Sequence, residues 1–392
     1  MKAIVNTKLI MEDGIIWDGA LTYDNGRIVQ VGWADQVEIP ADAEIIDAQG
    51  LYTAPGLVDI HCHGGNFVHS VDDPVKYAAH FIRHGTTTVL ATFSGLFSTE
   101  RMHSGAQKIR EASKAGVGRI IAGIHMEGPF MNGKGGQTKG EWPVCKGIKE
   151  EDYGPLIQGM KDLIKMWAVD PDREGIEPFL QYARREIPNI IFAYGHSRAT
   201  FAQCKKLQHY GFRVRTHIGD AGQCKGKAQN LPGAGADQLA LYDPDMYAEL
   251  IVDQNGIHVD PDLIKLFVRT KGVEKIILIT DSIGHAETFP NNQEEGIYYG
   301  PDLNYDVRGY LSGSRTTFEK CVKNLMTHSG YGLCHAIRMA TLNPARFLGM
   351  ESDIGSLAPG KKANLIIIDD MVNVKSVILE GDLAVQNDVI LI

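Results

Sequence analysis

Cysteine is sparse in this chain and never closely paired. The six thiols, Cys62, Cys145, Cys204, Cys224, Cys321 and Cys334, lie far apart with no C-x-x-C spacing, which argues against a thiolate zinc site and a disulfide framework. Clustered positive charge is missing too. Lys and Arg number 39 against 48 Asp and Glu, a formal charge of -9, and they are scattered, so the chain carries no footprint for nucleic acid or an anionic membrane. No uninterrupted apolar run reaches the roughly 20 residues that span a bilayer, and residues 1–6 lack the apolar core of a signal peptide. Internal repeats are absent, and Gly133-Lys134-Gly135-Gly136-Gln137 is not a Walker phosphate loop. These absences predict a soluble cytoplasmic protein whose partner is a small molecule.

A chain of 392 residues can build one large α/β barrel with a smaller accessory domain. Residues 1–55 alternate β-prone pieces with turns: Ala20-Leu21-Thr22-Tyr23, then Asp24-Asn25-Gly26-Arg27, then Ile28-Val29-Gln30-Val31-Gly32. The C-terminal end repeats the style, with Ala363-Asn364-Leu365-Ile366-Ile367-Ile368 and Val377-Ile378-Leu379 around glycine-containing turns. Residues 1–55 and 351–392 are therefore expected to form one β-sandwich. Between them, apolar runs at 57–60, 86–93, 120–126, 164–168, 190–194, 214–216, 249–252 and 275–280 alternate with helical stretches. That alternation predicts an α/β fold, a TIM-like (β/α)8 barrel over residues 56–350.

Candidate site residues sit at the ends of those runs. His61 and His63 flank Cys62, so on a strand both imidazoles face one side while the thiol faces the other. Glu127, His196, His217 and Asp281 close the third, fifth, sixth and eighth runs, where a barrel of this kind gathers its active site. A single buried histidine is more often a hydrogen-bonded core residue than a ligand. Five imidazole and carboxylate side chains at equivalent positions favour a divalent ion, zinc first. Glu127, His196 and His217 would grip one ion, and His61 with His63 a second, with Glu127 as the bridge.

Asp281 follows a strongly apolar strand, where an uncompensated carboxylate is costly. Its candidate roles are capping the next turn and acting as general base toward the attacking water. His125 shares a strand face with Glu127 and is a candidate either to support the ligands from behind or to face the substrate, and His258, on the loop after the seventh run, is a candidate for contact with substrate. His69, His80, His84, His103, His209, His285, His328 and His335 read as surface or packing residues.

The motifs Pro55-Gly56-Leu57-Val58-Asp59-Ile60-His61-Cys62-His63-Gly64, His125-Met126-Glu127-Gly128-Pro129-Phe130, Gly195-His196-Ser197, Thr216-His217 and Thr280-Asp281 resemble the amidohydrolase superfamily. Within it they are similar to the branch of N-acetylglucosamine-6-phosphate deacetylases, and the likeness runs to Gly355-Ser356-Leu357-Ala358-Pro359-Gly360-Lys361. The resemblance implies hydrolysis of an acetamido group on an amino sugar, one or two zinc ions per subunit, and Asp281 as base and then acid. It also implies a homodimer, with Gln137, Asp220 and Ala221 at the substrate end of the site.

Three departures fall at that end. Thr216-His217-Ile218-Gly219-Asp220-Ala221-Gly222 replaces the branch's T-H-L-F-N-A-M, so Asp220 stands where an asparagine helps hold the sugar phosphate, and its charge opposes a dianion. Gln137 replaces a histidine and can donate a hydrogen bond but carry no proton. Asp170 stands in Ala168-Val169-Asp170-Pro171, where the branch reads A-P-E. Lys225 and Lys227 read as solvated lysines, with replacement phosphate contacts as the alternative. Fold and cage do not fix the acyl substrate. A deacetylase of an N-acetylated amino sugar stands first, an amidohydrolase of another N-acyl compound such as an N-acyl-D-amino acid or cyclic amide second, and a non-catalytic scaffold third.

Overall fold

The computed structural model describes residues 1–132, 147–222, 233–284, 301–305 and 311–392. Eight parallel strands form the central sheet: Leu57–Cys62, Thr86–Ser94, Ile121–Glu127, Ile164–Val169, Ile191–Tyr194, Phe212–Arg215, Tyr247–Ile251 and Ile276–Ile279. Each pairs with the next in chain order, so the sheet winds as a barrel. All eight runs expected from the sequence are present. The sixth begins at Phe212, two residues earlier than read, and the third begins at Ile121, because Gly116–Ile120 forms a 3-10 turn before it.

These strands are nearly all apolar because both of their faces are covered. In the eighth, Ile276 and Leu278 join the large cluster under the surrounding helices, while Ile277 and Ile279 join a second cluster with Met166, Ala193, Val214 and Ile251. The helix Pro261–Lys271 shows how the outer layer is specified. Asp260 caps it by accepting from the Asp262 amide, Ile264, Phe267 and Val268 form its buried stripe, and Gly272 ends it in the left-handed region with φ 79.

The nearly closed barrel is drawn together where its first and last strands meet. The Asp281 amide donates to the His61 carbonyl at 2.9 Å, and the His63 and Gly64 amides both donate to the Ser282 carbonyl, at 2.8 and 3.0 Å. Beneath them the Thr280 hydroxyl donates to Oδ2 of Asp59 at 2.7 Å, and the His61 amide donates to Oδ1 at 3.1 Å. This seam fixes the position of His61, His63 and Asp281 at once.

Both chain ends build one mixed sheet of nine strands. Leu365–Ile368 lies antiparallel to Tyr52–Pro55, which is parallel to Lys2–Ile10, and the hairpin Ile15–Asp24 with Arg27–Trp33 extends the edge. Asn25 and Gly26 turn that hairpin with φ 48 and 74, the left-handed pair that an Asn-Gly turn supplies. The sheet curls over a cluster that includes Ile4, Leu21, Ile28, Leu365 and Ile367, and it closes where the Ala363 amide donates to the Gly26 carbonyl at 2.7 Å. The small β-domain expected from the two ends is thus a curled sheet, with Ile366 and Ile368 on its other face packed into the barrel's outer core.

Thr280→Val removes the hydroxyl that satisfies the buried Asp59 carboxylate across the seam. The variant should unfold in urea with about 1–3 kcal/mol less stability than the parent. An unchanged midpoint and slope in the metal-free protein would show that the seam does not depend on this bond.

Candidate metal centre

The sequence-predicted ligands converge at the C-terminal mouth of the barrel. His61 lies in the first strand and His63 just beyond it, and Glu127 closes the third. His196, His217 and Asp281 each follow the end of their strand by two residues, after Tyr194, Arg215 and Ile279. All three have left-handed backbones, with φ 41, 31 and 45. Such conformations cost of order 1–3 kcal/mol for a residue with a side chain and persist only where the surroundings impose them. Here the surroundings are visible: the Asn132 amide donates to the His196 carbonyl at 3.0 Å, the Ile218 amide to the Glu249 carbonyl at 2.8 Å, and the Asp281 amide to His61. Gly195, before His196, has no room for a side chain, since a Cβ there would lie 2.7 Å from Ala168.

Glu127 is the hub. Its Oε1 lies 3.2 Å from Nε2 of His196, 3.3 Å from Nε2 of His217 and 3.7 Å from Nε2 of His61, while Oε2 lies 3.1 Å from Nε2 of His63. Asp281 Oδ1 is 3.4 Å from Nε2 of His61 and 3.3 Å from Nε2 of His63. Ligand atoms held about 2.0–2.1 Å from a tetrahedral ion stand about 3.3–3.4 Å apart, so these spacings suit a shared cation. Three groups of possible ligands result among the described residues, His61 with His63 and Glu127, Glu127 with His196 and His217, and, beneath them, His61 with His125 and Glu249. Among the described residues, Nε2 of His61 is buried and has no hydrogen-bond partner, and it faces the cluster.

A sequence profile of the amidohydrolase family matches residues 52–384. The chain belongs to the amidohydrolase family. It is 29% identical over 396 residues to the N-acetylgalactosamine-6-phosphate deacetylase of Escherichia coli O157:H7, covering 96% of this chain and 97% of that relative. It is 26% identical over 391 residues to the N-acetylglucosamine-6-phosphate deacetylase of Haemophilus influenzae, covering 97% and 98%. Among solved structures, N-acetylglucosamine-6-phosphate deacetylase from Pasteurella multocida superposes with a TM-score of 0.82 at 26% identity, over 97% of this chain and 98% of that one.

The residues expected at the substrate end are placed unevenly in this amidohydrolase. Asp220 and Ala221 lie on the turn after His217, which the buried Arg215 side chain braces by donating to the carbonyls of Tyr194 and Asp220, each at 3.0 Å, and to Asp237. Ala221 is itself left-handed, with φ 47. His258 has a partner on each ring nitrogen. Its Nδ1 pairs with Asp253 at 3.1 Å and its Nε2 with the Gly313 carbonyl at 3.1 Å. His125 lies below the cluster rather than at its mouth, with Nδ1 on the Ile60 carbonyl at 3.1 Å and its ring edge-on to His61 at 4.5 Å between centroids. Asp170 accepts from Ser197 Oγ at 2.6 Å and from the Asp172 amide at 3.0 Å, tying the loop after the fourth strand to the one carrying His196. Gln137, Lys225 and Lys227 lie outside the described residues.

Glu249, in the seventh strand, was missed by the sequence reading. Its Oε2 lies 3.0 Å from Nδ1 of His61, both side chains fully buried. The available signal was a lone acid inside the apolar run Tyr247-Ala248-Glu249-Leu250-Ile251.

The cluster's own charges show how it meets a cation. Burial works against ionising Glu127, but hydrogen bonds from His196, His217 and His63 hold its carboxyl well below the usual carboxylate range. Burial likewise opposes charge on His63 and His217. Bonds to Asp281 and Glu127 outweigh it for His63 and push it up to about 10, and the bond to Glu127 pushes His217 up to about 9. Burial, reinforced by neighbouring His125, holds His61 well below its ordinary value.

A divalent ion entering the cluster must therefore displace protons from His63 and His217. Zinc affinity should rise by about tenfold per pH unit for each proton displaced, over about pH 6 to 9. Calorimetric titration in buffers of different ionisation enthalpy should show proton release at pH 7.5. Buffer-independent heats and a pH-independent affinity would contradict this account of the cluster.

Proposed function

We propose that this amidohydrolase is a divalent-metal-dependent deacetylase, zinc being the favoured ion, that hydrolyses the acetamido group of an N-acetylated amino sugar 6-phosphate. The observation that carries the reading is the ring of His61, His63, Glu127, His196 and His217 beside Asp281, in a chain that aligns almost end to end with two amino-sugar 6-phosphate deacetylases. N-acetylglucosamine 6-phosphate and N-acetylgalactosamine 6-phosphate are the first substrates to compare. The same reading takes the protein to work in the cytoplasm as a homodimer. Among the described residues no helix is long and apolar enough to cross a membrane.

Glu127, His196 and His217 would hold the principal ion, and His61 with His63 a second that shares Glu127. Held there, an ion would supply Lewis acidity toward the acetyl carbonyl and would lower the pKa of water toward about 7. The proton work falls to Asp281 in this reading, supported by its Oδ1 lying 3.4 Å from Nε2 of His61 and 3.3 Å from Nε2 of His63. It takes a proton from the attacking water as the C–O bond forms. It returns that proton to the amine nitrogen as the C–N bond breaks, leaving acetate and the free amino sugar phosphate.

Asp281→Asn keeps the shape of this side chain and removes its proton transfer. Acetate release should fall by about 10²–10⁴-fold while zinc content stays at the parent level. Activity within a few-fold of the parent would remove Asp281 from the mechanism. Asp220 tests the phosphate end, since a carboxylate there opposes the substrate's dianion. Asp220→Asn should lower KM for the 6-phosphate substrates by about tenfold, roughly 1.4 kcal/mol, with little change for the unphosphorylated sugars. Equal effects on both substrate forms would place the phosphate elsewhere.

A further inference from the structure

Glu249 is an ionisable residue that the mechanism above does not use. It lies in the middle of the seventh strand, between Ala248 and Leu250, and has no exposed surface. An ionisable group so placed is expensive unless its lone pairs are engaged. One oxygen, Oε2, is engaged twice, by Nδ1 of His61 at 3.0 Å and by the main-chain amide of His217 at 3.4 Å. The carbonyl of the same residue accepts from the Ile218 amide at 2.8 Å. The seventh strand thus holds the imidazole of one candidate ligand and the backbone on both sides of another, from different ligand groups.

The consequence for His61 is chemical. An imidazole that gives its Nδ1 proton to Glu249 keeps a lone pair on Nε2, whereas the other tautomer places a proton there and cannot ligate. Nε2 is the buried atom without a hydrogen bond, between Oε1 of Glu127 at 3.7 Å and Oδ1 of Asp281 at 3.4 Å. His125 packs edge-on against the same ring and restricts its rotation.

We propose that Glu249 is a positioning residue for the ion held by His61 and His63: it selects the Nδ1–H tautomer of His61 and fixes the ring so that Nε2 faces the cluster. This rests on the metal-dependent reading of the site. Removing such an orienting partner typically weakens metal binding by about 10–100-fold.

The test compares the full-length protein with Glu249→Gln, which keeps the shape and replaces one carboxyl oxygen by an amide donor. Zinc per chain is measured after dialysis, and each affinity by competition with a chromophoric chelator. The parent should hold two ions, and Glu249→Gln should retain one at parental affinity while the other weakens by about 10–100-fold. In a His61→Ala background, where that ion is already lost, the same substitution should add nothing. Parental affinity for both ions in Glu249→Gln, or equal weakening of both, overturns the proposal. A parent chain that binds one ion overturns it but leaves a single-ion site standing, and a chain that binds none overturns the metal reading itself. A measurement on the parent alone covers a variant that fails to fold: nitrogen-15 spectra of the metal-free protein should show His61 protonated at Nδ1 and bare at Nε2, and the opposite tautomer contradicts the proposal.

Discussion

Glu127 is the carboxylate on which the rest of the site converges, meeting imidazoles from the first, fifth and sixth strands at 3.1 to 3.7 Å. Those strands are far apart in the chain and can share one anion only because the barrel brings their C-terminal ends to one mouth. The carboxylate in turn needs its neighbours, because a buried anion without partners would shift toward its protonated form. Fold and charge are therefore mutually dependent here. The seam between the first and eighth strands serves the same end, since the bond from the Asp281 amide to the His61 carbonyl sets the distance between the candidate base and the first-strand pair.

Rigidity at the mouth comes at a conformational cost. His196, His217 and Asp281 all adopt left-handed backbones, which turn their side chains inward immediately after each strand ends. Strain of this kind marks a position where geometry matters more than local stability. The supporting bonds come both from neighbouring loops and strands and from within the His217 turn, where the Asp220 amide donates to the His217 carbonyl at 3.1 Å. Arg215 is the clearest support, buried beneath the His217 turn and donating to carbonyls on either side of it.

Much of this was legible in the sequence because barrel strands are buried on both faces and so appear as short apolar runs with chemistry at their ends. His61, His63, Glu127, His196, His217 and Asp281 could be picked out for that reason alone. Glu249 could not, because it sits inside its strand rather than at the end, and the run containing it was read as beginning there. His258 is the opposite case, chosen by position while its partners stayed hidden. Its place on a loop after a strand suggested a contact with substrate, but Asp253, five residues earlier, accepts from the amides of Ile257 and His258 and from the imidazole, turning the loop back on itself. His125 obeys the strand alternation that places it with Glu127, yet one step deeper that face meets the Ile60 carbonyl and the His61 ring. Hydrogen-bond partners decide such cases, and spacing alone does not reveal them.

Diffraction from zinc-loaded crystals, recorded on both sides of the zinc absorption edge, tests the central claim most directly. The account predicts an anomalous peak within about 2.0–2.2 Å of Glu127, His196 and His217, and a second beside His61 and His63 that shares the Glu127 carboxylate. Zinc peaks confined to other parts of the molecule, with none inside the ring around Glu127, would contradict it.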